Sequence, residues 1–315
     1  MIPIIDLGPL FSNTTRGIQE VAAQLYQIYS TLGFAQVINH KIPRQTIENL
    51  YIASRDFHEL KQEEKNKVKF KGSLRGYQPM NTLTIRNSEL GDFKKPDLNE
   101  SFLIRNEIPL ENKWYKSPVG GKQPWPAELP EFKNQVLDYF NALQSLSQLL
   151  MQTFAVAMDL PMNALDQYFT EPHILLRLVY YPPAPKDAPA DLYGAAPHTD
   201  SNCITLLHQD KVGGLQVKSS DEQWLDVPPR QDAFVLNTGK IMSIWSNDRL
   251  KATPHRVINP DNSSRYSMPF FYGCNLDARV APLPSCVSED NPAQFEPVMY
   301  GEQLTKFLSA SYDFS

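Results

Sequence analysis

Residues 175–272 break into short β-rich runs, and this segmentation limits the fold more than any other feature of the chain. The runs are 176–181, 203–208, 215–217, 233–236, 255–258 and 265–271. Turn-forming residues separate them, among them Gly213-Gly214, Asn237-Thr238-Gly239 and Asn259-Pro260-Asp261-Asn262. Many short strands with turn signals between them fit a sandwich or jelly roll. A longer pattern precedes them. Phe132, Val136, Phe140, Leu143, Leu146, Leu150, Phe154 and Met158 step by three or four and form one apolar stripe, with Pro161 as the stop. A helix supporting a sheet would bury such a stripe.

The first half reads as mixed. Residues 2–7 and 34–38 are strand candidates, and 18–32 and 46–65 are amphipathic helix candidates, the first stopped by Gly33. Residues 72–122 look irregular, rich in Gly, Asn, Pro and Lys, which in a compact protein fits a lid or binding loop. The expected fold class is α+β, a jelly-roll core with flanking N-terminal helices and a long supporting helix. Residues 1–125 form a helical and mixed region with a lid segment. Residues 126–315 hold the supporting helix, the core and a C-terminal tail, all within one compact unit.

The hydrophobic fraction of 42% and charged fraction of 21% allow an ordinary core. A net charge of −5 argues against nucleic acid as a partner. The densest cationic run, 61–71, is interleaved with Glu63 and Glu64 and reads as a solvated helix face. The cysteines, Cys203, Cys274 and Cys286, are odd in number and form no CxxC, so a reducing cytosol is expected. No signal-peptide pattern opens the chain and no apolar run reaches membrane-spanning length. A cytoplasmic protein with a small-molecule substrate and no membrane partner is expected; the oligomeric state stays open, and a monomer suffices.

Chemistry concentrates in two motifs. In His198-Thr199-Asp200, an extended segment points positions i and i+2 to the same side. His255 opens another strand candidate and supplies a third ligand. Two histidines and one carboxylate on one face of an octahedron are the arrangement of non-haem iron(II) oxygenases. In Arg265-Tyr266-Ser267 the same alternation pairs a guanidinium with a hydroxyl, a clamp for a carboxylate. An iron with open positions needs an electron donor, and a dicarboxylic 2-oxo acid both chelates and supplies two electrons. Arg177 shares the strand parity of Tyr181, and Phe271 that of Arg265. These two are candidate substrate contacts, and Phe102, Tyr77 and Asn81 are candidate lid contacts. His40, His58, His173 and His208 are read as core, cap or surface residues.

These motifs, in their order, resemble the iron(II)/2-oxoglutarate-dependent dioxygenases of the isopenicillin N synthase-like type. The resemblance runs over nearly the whole chain, through Ile2-Pro3-Ile4-Ile5-Asp6-Leu7, Gly33-Phe34, Asn39-His40, Arg75-Gly76-Tyr77, Trp125-Pro126, Tyr180-Tyr181-Pro182-Pro183, Gly213-Gly214-Leu215-Gln216-Val217 and His255-Arg256-Val257. It implies a double-stranded β-helix, with Fe(II) held by His198, Asp200 and His255. It implies 2-oxoglutarate held at its distal carboxylate by Arg265 and Ser267, with Tyr181 donating to the same cosubstrate. It further implies that O2 is opened, that 2-oxoglutarate becomes succinate, and that hydrogen is abstracted from a small molecule, as in secondary metabolism. Hydroxylation is the default outcome, with desaturation or cyclisation as variants. Two departures stand out: Val179 where many relatives have Asn, and Gly239-Lys240 where many have Gly-Asp. Asp200 argues against a halogenase. An oxidase of the same fold that draws all its electrons from substrate, and a non-catalytic metal-binding or sensor protein, remain open alternatives.

Overall fold

A computed structural model of the chain describes residues 1–12, 14–84, 90–91, 93 and 95–311. Parts of the irregular stretch, 85–89, 92 and 94, and the last four residues of the expected tail lie outside the described residues. In chain order the first elements are β1 (Ile4–Asp6), α1 (Thr15–Tyr29), β2 (Phe34–Ile38), α2 (Arg44–Glu59), α3 (Gln62–Lys67), β3 (Gly76–Gln78), β4 (Glu100–Arg105) and α4 (Phe132–Ala157). The second half holds β5 (Pro172–Tyr181), β6 (Ala195–His198), β7 (Ile204–Gln209), β8 (Leu215–Lys218), β9 (Trp224–Asp226), β10 (Phe234–Thr238), α5 (Lys240–Trp245), β11 (His255–Val257), β12 (Arg265–Asn275) and, near its end, α6 (Tyr300–Ser311).

The strands form an eight-stranded sheet, ordered β1-β2-β10-β7-β12-β5-β4-β3, and a four-stranded sheet, β6-β11-β8-β9. Side chains alternate across the major sheet. Phe270 of β12 meets Phe140 of α4 at 5.4 Å between ring centroids, while Arg265, Ser267 and Phe271 of the same strand line a cavity on the opposite face. The expected stripe is buried as read: Val136, Leu143, Leu150 and Phe154 are inaccessible to solvent. The larger apolar cluster lies between the helices and the major sheet; a smaller one, with Phe34, Val179, Leu207, Leu215 and Val257, lies on the cavity side.

Residues 72–122 differ from expectation, because β3 and β4 extend the major sheet beside β5. β4 was hidden by its charged ends. Glu100 is buried against Lys65 Nζ at 2.9 Å, and Arg105 donates from Nε to the Leu74 carbonyl and meets His173. For the same reason the 61–71 run is not wholly a solvated face, since Lys65 is buried. The expected helix over 46–65 is two helices, α2 and α3, parted at Leu60 and Lys61. With β1 to β4 in the same sheet as β5, β7, β10 and β12, residues 1–125 and 126–315 share one sheet. Among the described residues no helix is long and apolar enough to cross a membrane.

Gly33 shows how the first half braces the second. Its φ is +69°, and a Cβ there would sit 2.5 Å from the Lys251 carbonyl oxygen and from Thr253 Oγ1. Only glycine allows this approach, which sets the chain leading into His255. Four histidines are structural. His40 accepts the Ile42 N–H, His58 bonds the Ser54 carbonyl, His173 lies between Arg105 and Tyr300, and His208 meets the Tyr51 hydroxyl.

Two expected outcomes follow from this core. Phe154→Ala removes a buried ring that packs edge-on against Tyr29, and should cost about 3–5 kcal/mol in denaturant unfolding. Burial pushes His40 and His58 down to about 4 and lowers His173 and His208. The native state therefore binds fewer protons than the unfolded chain below about 6.5, so their stability is full above that pH and is lost as pH falls toward 4. Asp97 and Asp210, raised by burial, act in the opposite sense but are fewer. The Tm of the metal-free protein should fall as pH is lowered from 6.5 to 4; a flat profile contradicts the assignment.

Candidate metal and cosubstrate site

The two sheets face each other across a cavity of about 550 Å³, its mouth to solvent included. His198 ends β6 and His255 opens β11, and the two are direct partners in the antiparallel ladder. Asp200 follows two residues after β6. Its Oδ1 lies 3.7 Å from Nε2 of each histidine. Both separations are less than twice a metal–nitrogen bond of about 2.1 Å. One ligand atom from each of the three residues lies within 4.8 Å of the others, and this is the only such group of His, Cys, Asp or Glu among the described residues.

Each ligand atom is aimed by a bond on its far side. His198 Nδ1 lies 2.7 Å from the Ala196 carbonyl and His255 Nδ1 3.1 Å from the Thr253 carbonyl. A carbonyl only accepts, so Nδ1 carries the proton and each Nε2 keeps its lone pair for an ion. Burial, then neighbouring His255, pushes His198 down to about 4, keeping it the neutral ligand form. For Asp200, burial alone would raise the carboxyl. The two imidazoles, with bonds from Thr205 Oγ1 at 2.6 Å and Asn237 Nδ2 at 2.8 Å to Oδ2, outweigh it and hold it below its ordinary value. Those bonds leave Oδ1 for an ion. The Gly239-Lys240 departure is accommodated through the backbone, where the Lys240 N–H donates to the Asp200 carbonyl at 2.8 Å. A Cβ at Gly239 would stand 2.3 Å from the Asn202 carbonyl oxygen.

The second wall is β5 paired with β12, Arg265 opposite Tyr181. Arg265 is inaccessible to solvent. Its guanidinium lies over the Tyr181 ring at 4.7 Å, and Nη2 donates to Gln209 Oε1 at 3.3 Å. Nε and Nη1 of Arg265 and Oγ of Ser267 are buried without a hydrogen-bond partner among the described residues. Leaving three such groups unpaired is costly, and a carboxylate matches them, so the donor set fits a 2-oxo acid with a distal carboxylate. Val179 lines the same cavity as an apolar surface.

Arg177 and Phe271 also line the cavity. Arg177 Nη2 donates to Asn99 Oδ1 at 3.3 Å and Ser101 Oγ at 3.0 Å, and its Nε is buried without a partner among the described residues. The lid candidates are not in the cavity wall. Tyr77 is buried with its hydroxyl on Glu100. Phe102 packs on Phe57 and Phe132 at 4.7 and 5.1 Å, on the helical face of the sheet. Asn81 is exposed at a turn with φ +60°. Sequence reasoning passed over Thr205, Gln209 and Asn237. Thr205 had a signal, being polar within an apolar β run; Gln209 lay one residue past that run, and Asn237 sat in a segment read as a turn.

Two family models match the chain: the 2OG-Fe(II) oxygenase superfamily over residues 172–273, and the non-haem dioxygenase in morphine synthesis N-terminal region over 2–128. The 2-oxoglutarate-Fe(II) type oxidoreductase hxnY of Emericella nidulans is 31% identical, over 98% of this chain and 90% of its own. Homoarginine-6-hydroxylase 2-ODD-C23 of Glycine max is 30% identical, over 96% and 95%. A full-length Neurospora crassa protein, solved in complex with alpha-KG and thymine, superposes with a TM-score of 0.86 at 29% identity, over 98% of this chain and 96% of that one. From both halves of its sequence, its full-length relatives and its fold, the chain belongs to the 2OG-Fe(II) oxygenases, enzymes that work with iron(II), 2-oxoglutarate and dioxygen.

Proposed function

We propose that His198, Asp200 and His255 hold the iron, that Arg265 and Ser267 bind the distal carboxylate of 2-oxoglutarate beside Tyr181, and that Arg177 and Phe271 contact a small-molecule substrate. The observation that carries this reading is the set of buried, unpartnered donors on Arg265 and Ser267, in the cavity that the triad also lines. Bound there, iron with its cosubstrate supplies the oxidising power. The residues themselves do simpler work. Thr205 and Asn237 fix the Asp200 carboxylate, and Ala196 and Thr253 hold the Nδ1 protons. The Tyr181 ring lies under the Arg265 guanidinium at 4.7 Å, and Val179, Leu207 and Val257 keep the cavity wall apolar, which strengthens each charged contact.

Arg177 offers Nε as donor to an acceptor or anionic group, and Phe271 offers an apolar surface. The substrate is therefore a small metabolite with a carboxylate or a flat polar ring, and hydroxylation is the default outcome, as expected in secondary metabolism. Relatives whose names carry small molecules, homoarginine and clavatol among them, support this class. The three cysteines are free, which supports a cytoplasmic setting.

Anaerobic addition of 2-oxoglutarate to iron(II)-loaded protein should give a charge-transfer absorption band, needing no knowledge of substrate. Arg265→Gln should weaken the 2-oxoglutarate affinity read from that band by about 2–5 kcal/mol; an unchanged affinity removes Arg265 from the role. Thr205→Val keeps the volume but removes a donor to Asp200. It should weaken iron affinity by about 10-fold, read by competition with a chelator.

A further inference from the structure

We propose that Asp97 and Asn99 are positioning residues of the metal centre, which brace β6 with their side chains and tie Arg177 to it. Among the described residues β6 is an edge strand whose only neighbour in the sheet is β11, and its register with β11 is irregular between His255 and Val257. Pro197, next to His198, has no N–H to give. An edge strand this short is poorly fixed by its own ladder, yet His198 must be held to within fractions of an ångström for a metal site to work.

Side chains from the segment before β4 supply the missing bonds. Asp97 Oδ1 accepts the Ala196 N–H at 2.9 Å, and the Ala196 carbonyl is the group that holds His198 Nδ1 at 2.7 Å. Asn99 Nδ2 donates to the Gly194 carbonyl at 2.7 Å, while its Oδ1 accepts from Arg177 Nη2 at 3.3 Å. A carbonyl at one end and a guanidinium at the other allow only one orientation of that amide. The backbone runs alongside too: the Leu98 N–H donates to the Tyr193 carbonyl at 2.8 Å. Asp97 and Asn99 are each only 2% exposed. Asn99 is thus shared by the arginine of the candidate substrate wall and Gly194, the residue that leads into the strand carrying a candidate metal ligand. A group that displaces Arg177 acts on the chain two residues before Ala196.

This inference rests on His198 being a ligand, and the experiment separates the two claims. Cobalt(II) is titrated into the metal-free full-length protein, reading affinity and the visible absorption of the bound ion. Wild type should bind and His198→Ala should not; if the two bind alike, the ligand assignment fails and the proposal with it. Asp97→Leu should weaken cobalt(II) by about 10-fold and alter the visible band. Asp97→Asn keeps an acceptor for the Ala196 N–H and should restore both affinity and band to nearly the wild-type values. A purely structural role would lower Tm in both variants and leave the spectrum of bound cobalt unchanged. Asn99→Asp keeps the Arg177 contact but loses the donor to Gly194, and should weaken cobalt(II) several-fold, on the scale of outer-shell losses. It also decides the matter if Asp97→Leu does not fold. Wild-type affinity and spectrum in a folded Asp97→Leu or Asn99→Asp protein overturn the proposal, as does an Asp97→Asn protein no better than Asp97→Leu.

Discussion

The arrangement depends on one buried carboxylate. Asp200 is carried past the end of β6 in the minor sheet, yet both donors to its Oδ2 stand on the major sheet, Thr205 on β7 and Asn237 on β10. A carboxylate this deeply buried costs several kcal/mol if left unpaired. The bonds to Oδ2 therefore tie the minor sheet to the major one, and they leave Oδ1 3.7 Å from Nε2 of each imidazole. The Lys240 N–H on the Asp200 carbonyl and the close passage of Gly239 beside Asn202 fix the backbone from the same side. Ladder pairing of His198 with His255 brings the rings together, with centroids 4.3 Å apart. The Ala196 and Thr253 carbonyls turn their Nε2 atoms toward Asp200 Oδ1.

The sequence was legible where a local period carries the information. The stripe from Phe132 to Phe154 lies buried on α4, and the parity of His198 with Asp200, of Arg265 with Ser267, and of Arg177 with Tyr181 places these side chains on the cavity side. It was opaque where the partner comes from a distant part of the fold. Glu100 and Arg105 make β4 look like a loop, and nothing local says that Lys65 and His173 receive them. Tyr77 and Phe102, read as lid residues, are drawn into the helical face by that same strand. Asn237 lies 37 positions from Asp200, so its role exists only once β10 and β7 are paired. Register within a strand follows from composition, whereas a hydrogen bond between sheets follows from topology.

The two arginines of the cavity illustrate different uses of burial. Among the described residues Arg265 keeps one side-chain hydrogen bond, to Gln209, and two of its nitrogens are unpartnered. Arg177 is fastened on one edge by Asn99 and Ser101, with Nε left over. Donors left unmade in this way cost about 1–3 kcal/mol each in the ligand-free protein. A ligand that supplies the acceptor recovers that energy without reorganising the wall, which is how preorganised sites gain affinity.

Such a cost is tolerable only because stability is supplied elsewhere. The apolar cluster between the helices and the major sheet draws on α1, α2, α4 and the outward faces of β4, β5, β7 and β12, whereas the cluster on the cavity side is far smaller. One sheet thus serves two environments. Its outward residues, Leu176, Leu178 and Phe270 among them, bury against helices, and its inward residues, Arg177, Val179, Arg265 and Ser267, face the chemistry. Alternation along a strand couples the two, because a slip of one residue in β5 or β12 would put the arginines into the helical core and Leu178 or Phe270 into the cavity. The helical core therefore supplies stability and also fixes the register on which every inward-facing group depends. In this fold the placement of the cavity arginines is enforced from the opposite face of the sheet.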